Sequence, residues 1–254
     1  MEKPTREKYL LAREVSEAER IRMVKAFFST ITARYDFLNH LMSFRRDIAW
    51  RCFSARKMRF FNTYRMLDVA TGTADLAIAV ASEHRGSRIT GLDFVQEMIA
   101  FGRVKIQMKH LSQRVQMLRG DALHLPFSDS SFDVAAIAFG IRNIPNRIGA
   151  IKEMHRVVVP GGQVMVLEMT FPRNGPFRML CHVYLNRILP CMGRAFSPNP
   201  EAYRYLRDSI MNFHTPDALS RLMEQAGLKQ VENFSLTLGI THLHVGVKPD
   251  VPRP

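Results

Sequence analysis

Cysteine is scarce in this 254-residue chain. Cys52, Cys181 and Cys191 are odd in number, far apart and without paired metal-ligand spacing, so neither a disulfide framework nor a cysteine-based metal site is expected. They read as reduced, buried thiols in a reducing compartment. Long apolar runs are missing too: none approaches the roughly 18 residues that a membrane-spanning helix needs. No basic-then-apolar opening with a small-residue cleavage site marks a secretory leader. Repeats, low-complexity tracts and a separate linker are also absent. With 46% apolar and 23% charged residues the composition is that of an ordinary globular protein, which excludes disorder. The expectation is a soluble, cytoplasmic chain forming a single domain over 1–254.

Negative charge is the other shortage. Against 36 Lys and Arg stand 23 Asp and Glu, a net +13, and residues 1–65 alone hold 15 basic and 7 acidic side chains. Such a field attracts phosphate groups, on nucleic acid or on an anionic membrane surface. Nucleic acid is the disfavoured partner, because only Trp50 and scattered aromatics accompany the charges and no DNA- or RNA-binding motif occurs. His242 and His244 alternate in a strand-like segment and share a face, but two histidines alone make a weak metal signal, and no metal is expected.

What is present is periodicity. Residues 1–64 read as a helical extension, with a stripe of Val15, Ile21, Val24, Phe27 and Phe28 in Glu14–Phe28 and a second helix over Tyr35–Arg59. From Met66 the pattern changes to short apolar strands alternating with helices. Strands are expected at Met66–Ala70, Arg88–Asp93, Val115–Leu118, Phe132–Ala138 and Gln163–Glu168. Helices are expected around Leu76–Ala81, Gln96–Lys109 and Ile148–Val158, the last broken by Pro160-Gly161-Gly162. That alternation over 65–170 predicts a parallel sheet with helices on both faces and a ligand at the carboxyl ends of the strands. Residues 171–213 read as an insertion rich in Pro, aromatics and Met. Over 214–248 a helix, Pro216–Ala226, precedes two closing strands, Lys229–Leu236 and Ile240–Val247, which bring the sheet to seven.

The first strand runs into Asp68-Val69-Ala70-Thr71-Gly72-Thr73-Ala74-Asp75, whose small residues let a ligand approach the backbone at a helix start. A dinucleotide loop carries three glycines in G-x-G-x-x-G; here only Gly72 stands, which disfavours nicotinamide and flavin cofactors. Acidic residues end the strands instead. Asp93, after the second strand, can accept both hydroxyls of a ribose. Asp68 beside the loop suits a cationic ligand rather than a pyrophosphate, and Asp121-Ala122 after the third strand is placed to meet an adenine edge. S-adenosyl-L-methionine has an ammonium, a sulfonium and a ribose, and no phosphate. Each carboxylate also suits an ordinary helix cap.

These features together resemble a class I S-adenosylmethionine-dependent methyltransferase: the loop, Asp93, Gly120-Asp121-Ala122 with Leu125-Pro126-Phe127, Phe132-Asp133 and Pro160-Gly161-Gly162. More specific blocks are similar to the C-methyltransferases of menaquinone and ubiquinone biosynthesis. They are Tyr35-Asp36-Phe37-Leu38-Asn39 with Ser43 and Trp50-Arg51, Phe139-Gly140-Ile141-Arg142-Asn143, Tyr203-Arg204-Tyr205-Leu206 with Ser209-Ile210, and the closing Gly239, His244, Gly246 and Lys248. The resemblance spans about residues 24–249. It implies a Rossmann-like fold, a polyprenylated quinol substrate, and cofactor contacts at Thr73, Asp93, Asp121 and Ala122, with Asp68, Gly72 and Ala138 beside them. Four positions depart from the family: Ala74 stands for a usual Gly, Ala138 for a usual Ser, and Arg45 and Asp47 stand where many members carry Gly and His. If position 74 needs a positive φ, its methyl costs about 1 kcal/mol.

Methylating a ring carbon requires that carbon to be made nucleophilic by ionising the neighbouring hydroxyl. Arg142 cannot act as a practical base, since its pKa stays above about 12; its expected role is to stabilise the developing phenolate, with Asn143 orienting the same oxygen or a water. Candidate bases are Asp36, Glu168, Tyr203, His214, or a water held by Arg142. In the insertion, Phe177, Leu180, Cys181, Tyr184, Leu185 and Ile188 follow helical spacing beside Arg173, Arg178, Arg187 and Arg194. They predict a lid that receives the prenyl tail, with peripheral contact to anionic lipid at the inner face of a membrane. Demethylmenaquinol is the expected substrate. The alternatives are the methoxy-benzoquinol step of the ubiquinone pathway, both steps, or a methyltransferase-like binding protein without catalysis.

Overall fold

The structure, a computed structural model, describes residues 36–172, 176–196 and 201–250. The helix expected over Glu14–Phe28, and Tyr35, Arg173 and the side chains of Arg194 and Tyr203, lie outside the described residues.

Seven strands form one sheet: β1 Arg65–Val69, β2 Arg88–Asp93, β3 Val115–Arg119, β4 Phe132–Ala138, β5 Val158–Met169, β6 Lys229–Leu236 and β7 Thr241–Val247. Their order is β3-β2-β1-β4-β5-β7-β6. Neighbours from β3 to β5 are parallel, and β7 runs antiparallel to both β5 and β6. The chain winds outward from β1 in one direction and from β4 in the other. A crevice therefore opens above the carboxyl ends of these two strands.

Side-chain alternation along the strands divides the core. Met66, Val134, Ala136, Met165 and Leu167 face α1 (Arg46–Lys57), α2 (Asp75–Glu83) and α3 (Gln96–Met108). Leu67, Val69, Ala135, Ile137, Val164 and Val166 face α4 (Arg147–Val157) and α8 (Pro216–Gln225). In the insertion, α5 (Pro176–Val183) passes through a π-helical turn at Tyr184–Ile188 into α6 (Leu189–Phe196), followed by α7 (Glu201–Met211). Leu185, Leu189 and Ile210 from this unit bury Leu38 of the helical stretch 36–42.

Two sequence expectations change. The helix expected over Tyr35–Arg59 is broken, because Phe44 and Arg45 have φ of +51° and +61°. Left-handed backbone costs about 1–2 kcal/mol per residue without glycine. Three bonds hold the corner: the Ser43 hydroxyl donates to Asp47 Oδ1 at 2.7 Å, and the amides of Arg45 and Arg46 donate to the carbonyls of His40 and Ser43. Pro160-Gly161-Gly162 does not break α4, which stops at Val157, nor does it interrupt the following strand. It forms a bulge inside β5, where Phe132 pairs with Val158 and Val134 with Gln163. Gly161 takes φ +75°, and a β-carbon on Gly162 would lie 2.8 Å from the carbonyl oxygens of Asp133 and Val159.

The edge opposite the crevice is clamped by buried polar groups. Asp133 accepts amide hydrogens from Phe61, Thr63 and Tyr64 at 2.8–3.1 Å, and Gln163 Oε1 accepts from Arg59 at 2.7 Å. These bonds fix the connection from α1 into β1 and leave the crevice end free for a ligand.

Ala74 precedes α2 with φ +69°, so the left-handed condition on this position is met. Its methyl is fully buried in the core beside α3, turned away from the crevice. Ala74→Gly would exchange about 1–2 kcal/mol of backbone strain for a buried methyl worth about 0.8 kcal/mol and the greater freedom of unfolded glycine. We expect its urea-unfolding free energy to lie within about 1 kcal/mol of the parent.

Two buried groups give opposing pH dependences. His244, on β7, is fully buried; burial pushes its ring down to about 4, although Nε2 has the Pro216 carbonyl at 3.0 Å. Unfolded histidine titrates near about 6.5, so between those values the unfolded chain binds the extra proton and stability falls as pH falls. Burial pushes the Asp68 carboxyl up to about 7, against the Thr71 hydroxyl and Ala77 amide. Here the folded chain holds the extra proton above about pH 4, and stability falls as pH rises toward 7. Relative to the parent, His244→Gln should lose stability more with rising pH between 4.5 and 7. Asp68→Asn should gain more over the same range, each by up to about 3 kcal/mol. Urea midpoints across that range measure both slopes, and parallel slopes for all three proteins would contradict the assignment.

Candidate cofactor and active site

The loop leaving β1 is shaped by alternate left-handed residues, with φ +52° at Ala70, +56° at Gly72 and +69° at Ala74. A β-carbon at Gly72 would meet nothing within 4 Å, so it is the backbone angle that favours glycine there. Two buried carboxylates pin the loop. Asp68 accepts from the Thr71 hydroxyl at 2.6 Å and from the Ala77 amide at 3.1 Å, joining the strand end to the start of α2. Asp93 accepts from the Gly72 amide at 2.7 Å and the Val95 amide at 2.8 Å, joining β1's loop to β2. Burial raises the Asp93 carboxyl above its ordinary range, and those two amides oppose the rise.

Around this loop the crevice is lined by Asp68, Gly72, Thr73, Asp93, Asp121, Ala122, Ala138 and Asn143. All seven cofactor positions expected from sequence, and Asn143, thus share one cleft. Asp121 stands at its more open side, its Oδ1 accepting from the Leu123 amide at 2.9 Å.

Sequence reading missed a charged cluster at the other end. Lys105 of α3 reaches Asp36 at 2.5 Å, Asp75 at 2.6 Å and the Thr73 hydroxyl at 3.2 Å. Thr73 in turn donates to Asp36 at 2.5 Å, so the helical stretch 36–42 is tied to the cofactor loop. Arg51 donates to Asp47 at 2.6 Å, lies 5.0 Å from the Phe139 ring centre, and approaches Asp75 Oδ2 only to 4.0 Å. Burial would raise the Asp47 carboxyl, but Ser43, Arg51 and His40 together hold it below its usual range. His40, Asp47 and Asp75 bring donor atoms within 4.8 Å of one another, but Asp47 is already spent on Arg51, His40 and Ser43. Asp75 closes the sequence motif of the loop and could have been chosen from it. Lys105, one charge among several on α3, gave no signal.

Arg142 does not line the cleft. It is 7% exposed, and its Nη1 donates to Glu168 at 2.5 Å and to the Phe139 carbonyl at 2.8 Å. The guanidinium that sequence reading aims at a substrate oxygen is engaged beneath the cleft wall. Glu168 is correspondingly fully buried and ion-paired. The neighbouring Asn143 does face the cleft, and its Oδ1 accepts from the Tyr205 hydroxyl of α7 at 2.9 Å. Of the other candidate bases, Asp36 is held by Lys105 and Thr73. His214 lies 3.2 Å from Arg147, and burial and that cation depress its basicity.

The lining fits S-adenosylmethionine by its donor set. Asp75 Oδ2 is buried without a hydrogen-bond partner and belongs to the cleft, which is a place for an ammonium donor. Asp93 ends β2 inside the cleft, and Phe94, Met98, Leu123 and Ile144 form an apolar slot of the kind a purine fills. Arg51 is the only cation that reaches the lining, and it is neutralised by Asp47, so no phosphate clamp exists among these residues.

Comparison with known proteins agrees with this geometry. The ubiE/COQ5 methyltransferase family model matches residues 13–248. A ubiquinone/menaquinone biosynthesis C-methyltransferase from Geobacter sp. (strain M21) is 42% identical over 232 residues, covering 91% of this chain and 98% of the relative. A demethylmenaquinone methyltransferase from Thermus thermophilus is 41% identical over 222 residues, covering 87% of this chain and all of the relative. Among solved structures, the Haloferax volcanii complex of a Trm112 methyltransferase activator with a putative methyltransferase matches with a TM-score of 0.61 and 18% identity, over 88% of this chain and 98% of that one. Haemonchus contortus phosphoethanolamine N-methyltransferase 2 with S-adenosylmethionine matches at 0.60 and 14%, over 96% of this chain and 60% of that one. The fold is that of class I methyltransferases, and the chain belongs to the ubiE/COQ5 methyltransferase family.

Proposed function

We propose that this chain catalyses S-adenosylmethionine-dependent C-methylation of a polyprenylated quinol, with demethylmenaquinol as the acceptor. The observation that carries the reading is a cleft with carboxylates at the ends of β1 and β2 and an unpartnered Asp75 oxygen, facing Asn143 across the strand-order reversal. Relatives named for the menaquinone step and for both quinone pathways match at similar identity, so the ubiquinone-type acceptor is the second substrate to assay.

S-adenosylmethionine, when bound, supplies an electrophilic methyl on its sulfonium. The protein's part is to hold the acceptor carbon in line and to shift electron density into the ring. Asn143 is the polar side chain on the substrate side of β4's exit. With its Oδ1 occupied by Tyr205, its amide hydrogens are turned to donate to a quinol oxygen as that oxygen gains negative charge. With the methyl donor held by the Asp75 and Asp93 end of the cleft, its methyl would pass to the ring carbon, leaving S-adenosylhomocysteine, and the proton that carbon carried would pass to water. Arg142 acts as a positioning residue. Through Glu168 and the Phe139 carbonyl it fixes the corner that presents Asn143. Asp36, Thr73 and Lys105 close the methionine end against water. The quinol's prenyl tail is taken from a bilayer, which makes the enzyme peripheral to the membrane; among the described residues no helix is long and apolar enough to cross one.

Arg142→Ala is a poor probe, because it leaves Glu168 as an unpaired buried charge, a loss of about 3–5 kcal/mol. Asn143→Ala and Tyr205→Phe are better. With radiolabelled methyl donor and demethylmenaquinol, Tyr205→Phe should lower kcat about 10-fold and Asn143→Ala about 100-fold, with KM for S-adenosylmethionine unchanged. The double variant should be no slower than Asn143→Ala alone, since Tyr205 acts through it. No methyl transfer by the well-folded parent would overturn the function, and additive losses would overturn the role of Tyr205.

A further inference from the structure

Four exposed arginines and six exposed large apolar side chains lie on two segments that touch, the stretch leading into α1 and α5 with its π-helical turn. The apolar residues are Phe37 and Phe44, from the stretch leading into α1, and Met179, Leu180, Val183 and Ile188, from α5 and its π-helical turn. Phe44 is 76% exposed and Met179 73%. The two segments are joined: the Tyr184 hydroxyl donates to the Met42 carbonyl at 2.7 Å, and the Phe44 and Tyr184 rings lie 6.3 Å apart. Leu180 stands one helical turn before Tyr184, which makes the apolar patch continuous across the joint.

The arrangement is not one that a solvent-facing surface favours. Phe44 holds a left-handed backbone, an uncommon state for an aromatic residue, and that corner presents its ring to solvent. Among the described residues, charge on this surface has one sign. Arg45, Arg46, Arg178 and Arg187 are exposed, Arg178 also lying 5.6 Å from the Phe171 ring, whereas the nearby acids Asp36 and Asp47 are ion-paired inward. The sequence from 171 to 200 contains no Asp or Glu at all. Apolar tips rimmed by arginines match a layer with an apolar interior and anionic headgroups, whereas a protein partner would need an acidic rim set to four separate cations.

We infer that the Phe44 corner and the exposed face of α5 form the surface by which this protein docks on an anionic bilayer. This rests on the quinol reading for its purpose but not for its test. Helix 36–42 carries Phe44's corner at one end and Asp36, bonded to the cofactor loop, at the other. At about 1.5 Å per residue that span is roughly 10 Å. Docking there brings the reacting end of the cleft near the headgroup layer, so a quinol ring can enter while its tail stays in lipid.

The test uses the full chain and vesicles of phosphatidylcholine, with or without 30% phosphatidylglycerol (~30%, an ordinary anionic content), and no substrate. Cosedimentation is expected with the anionic vesicles and about 10-fold less with phosphatidylcholine alone. The variant Phe44→Ser/Met179→Ser/Leu180→Ser should lose at least about 10-fold in binding to anionic vesicles. A control, Val104→Ser/Met108→Ser on the exposed side of α3, should bind as the parent does. Thermal unfolding and S-adenosylhomocysteine binding establish that each variant is folded. The parent should methylate both a short-tailed soluble quinol and vesicle-embedded quinol, and the triple variant should fail on the vesicle-embedded one. Undiminished vesicle binding by the triple variant would overturn the surface. Self-association of the parent that the triple substitution abolishes, without vesicle binding, would assign the patch to a second copy instead. Failure of the parent on the soluble quinol would strike the functional reading, not the docking surface.

Discussion

The carboxylate of Asp93 is the group on which the cleft depends. One oxygen takes the Gly72 amide and the other the Val95 amide, so a single side chain at the end of β2 sets the distance between β1's loop and its neighbour strand. It does so while 8% exposed, with burial working against its charge. Backbone donors aimed at the carboxyl oppose that effect of burial. Asp68 repeats the device one strand over, gathering Thr71 and the start of α2. The loop is therefore preorganised by acids before any ligand arrives. A ligand that brings hydrogen-bond donors meets acceptors already in place, with little reorganisation.

From this frame the rest of the active region is assembled by reach. Asp75 extends the acidic row beyond the loop, and Lys105 offsets part of it while drawing in Asp36 from the stretch ahead of α1. On the far wall, the buried Arg142–Glu168 pair fixes the turn after β4, and Tyr205 brings α7 onto Asn143. The cleft thus has a rigid floor made by the sheet and a cover made by segments far apart in sequence.

The sheet was legible because buried parallel strands leave short apolar runs, and β2 and β4 match their expected spans residue for residue. The acids at strand ends were legible for the same reason: once the strands are placed, Asp68, Asp93 and Asp121 fall at one edge. Local signals failed where tertiary contacts outweighed them. Phe44-Arg45 carries no glycine, although many family members have one at position 45, and Ser43, Asp47 and two backbone bonds hold its left-handed corner in place. Pro160-Gly161-Gly162 reads as a break, but β7 supplies partners that keep β5 intact: Gly161 donates to the Lys248 carbonyl and Lys248 to that of Gly162. Lys105 and the pairing of Arg142 with Glu168 depend on three-dimensional proximity between residues 26 to 69 positions apart, which no spacing rule encodes. Ala74 stands where the family usually has Gly, and its methyl is part of the core.

The central claim, that Asp93 both builds the cleft and receives the ribose, is tested most directly by calorimetric titration of S-adenosylhomocysteine into the parent protein and into Asp93→Asn. Asparagine keeps the size and one acceptor oxygen but cannot accept from Gly72, Val95 and a ribose together. The account predicts saturable one-to-one binding by the parent and a weakening of about 100-fold or more in Asp93→Asn, with the variant still folded. Equal affinity in the two proteins, or no binding by a folded parent, would contradict it.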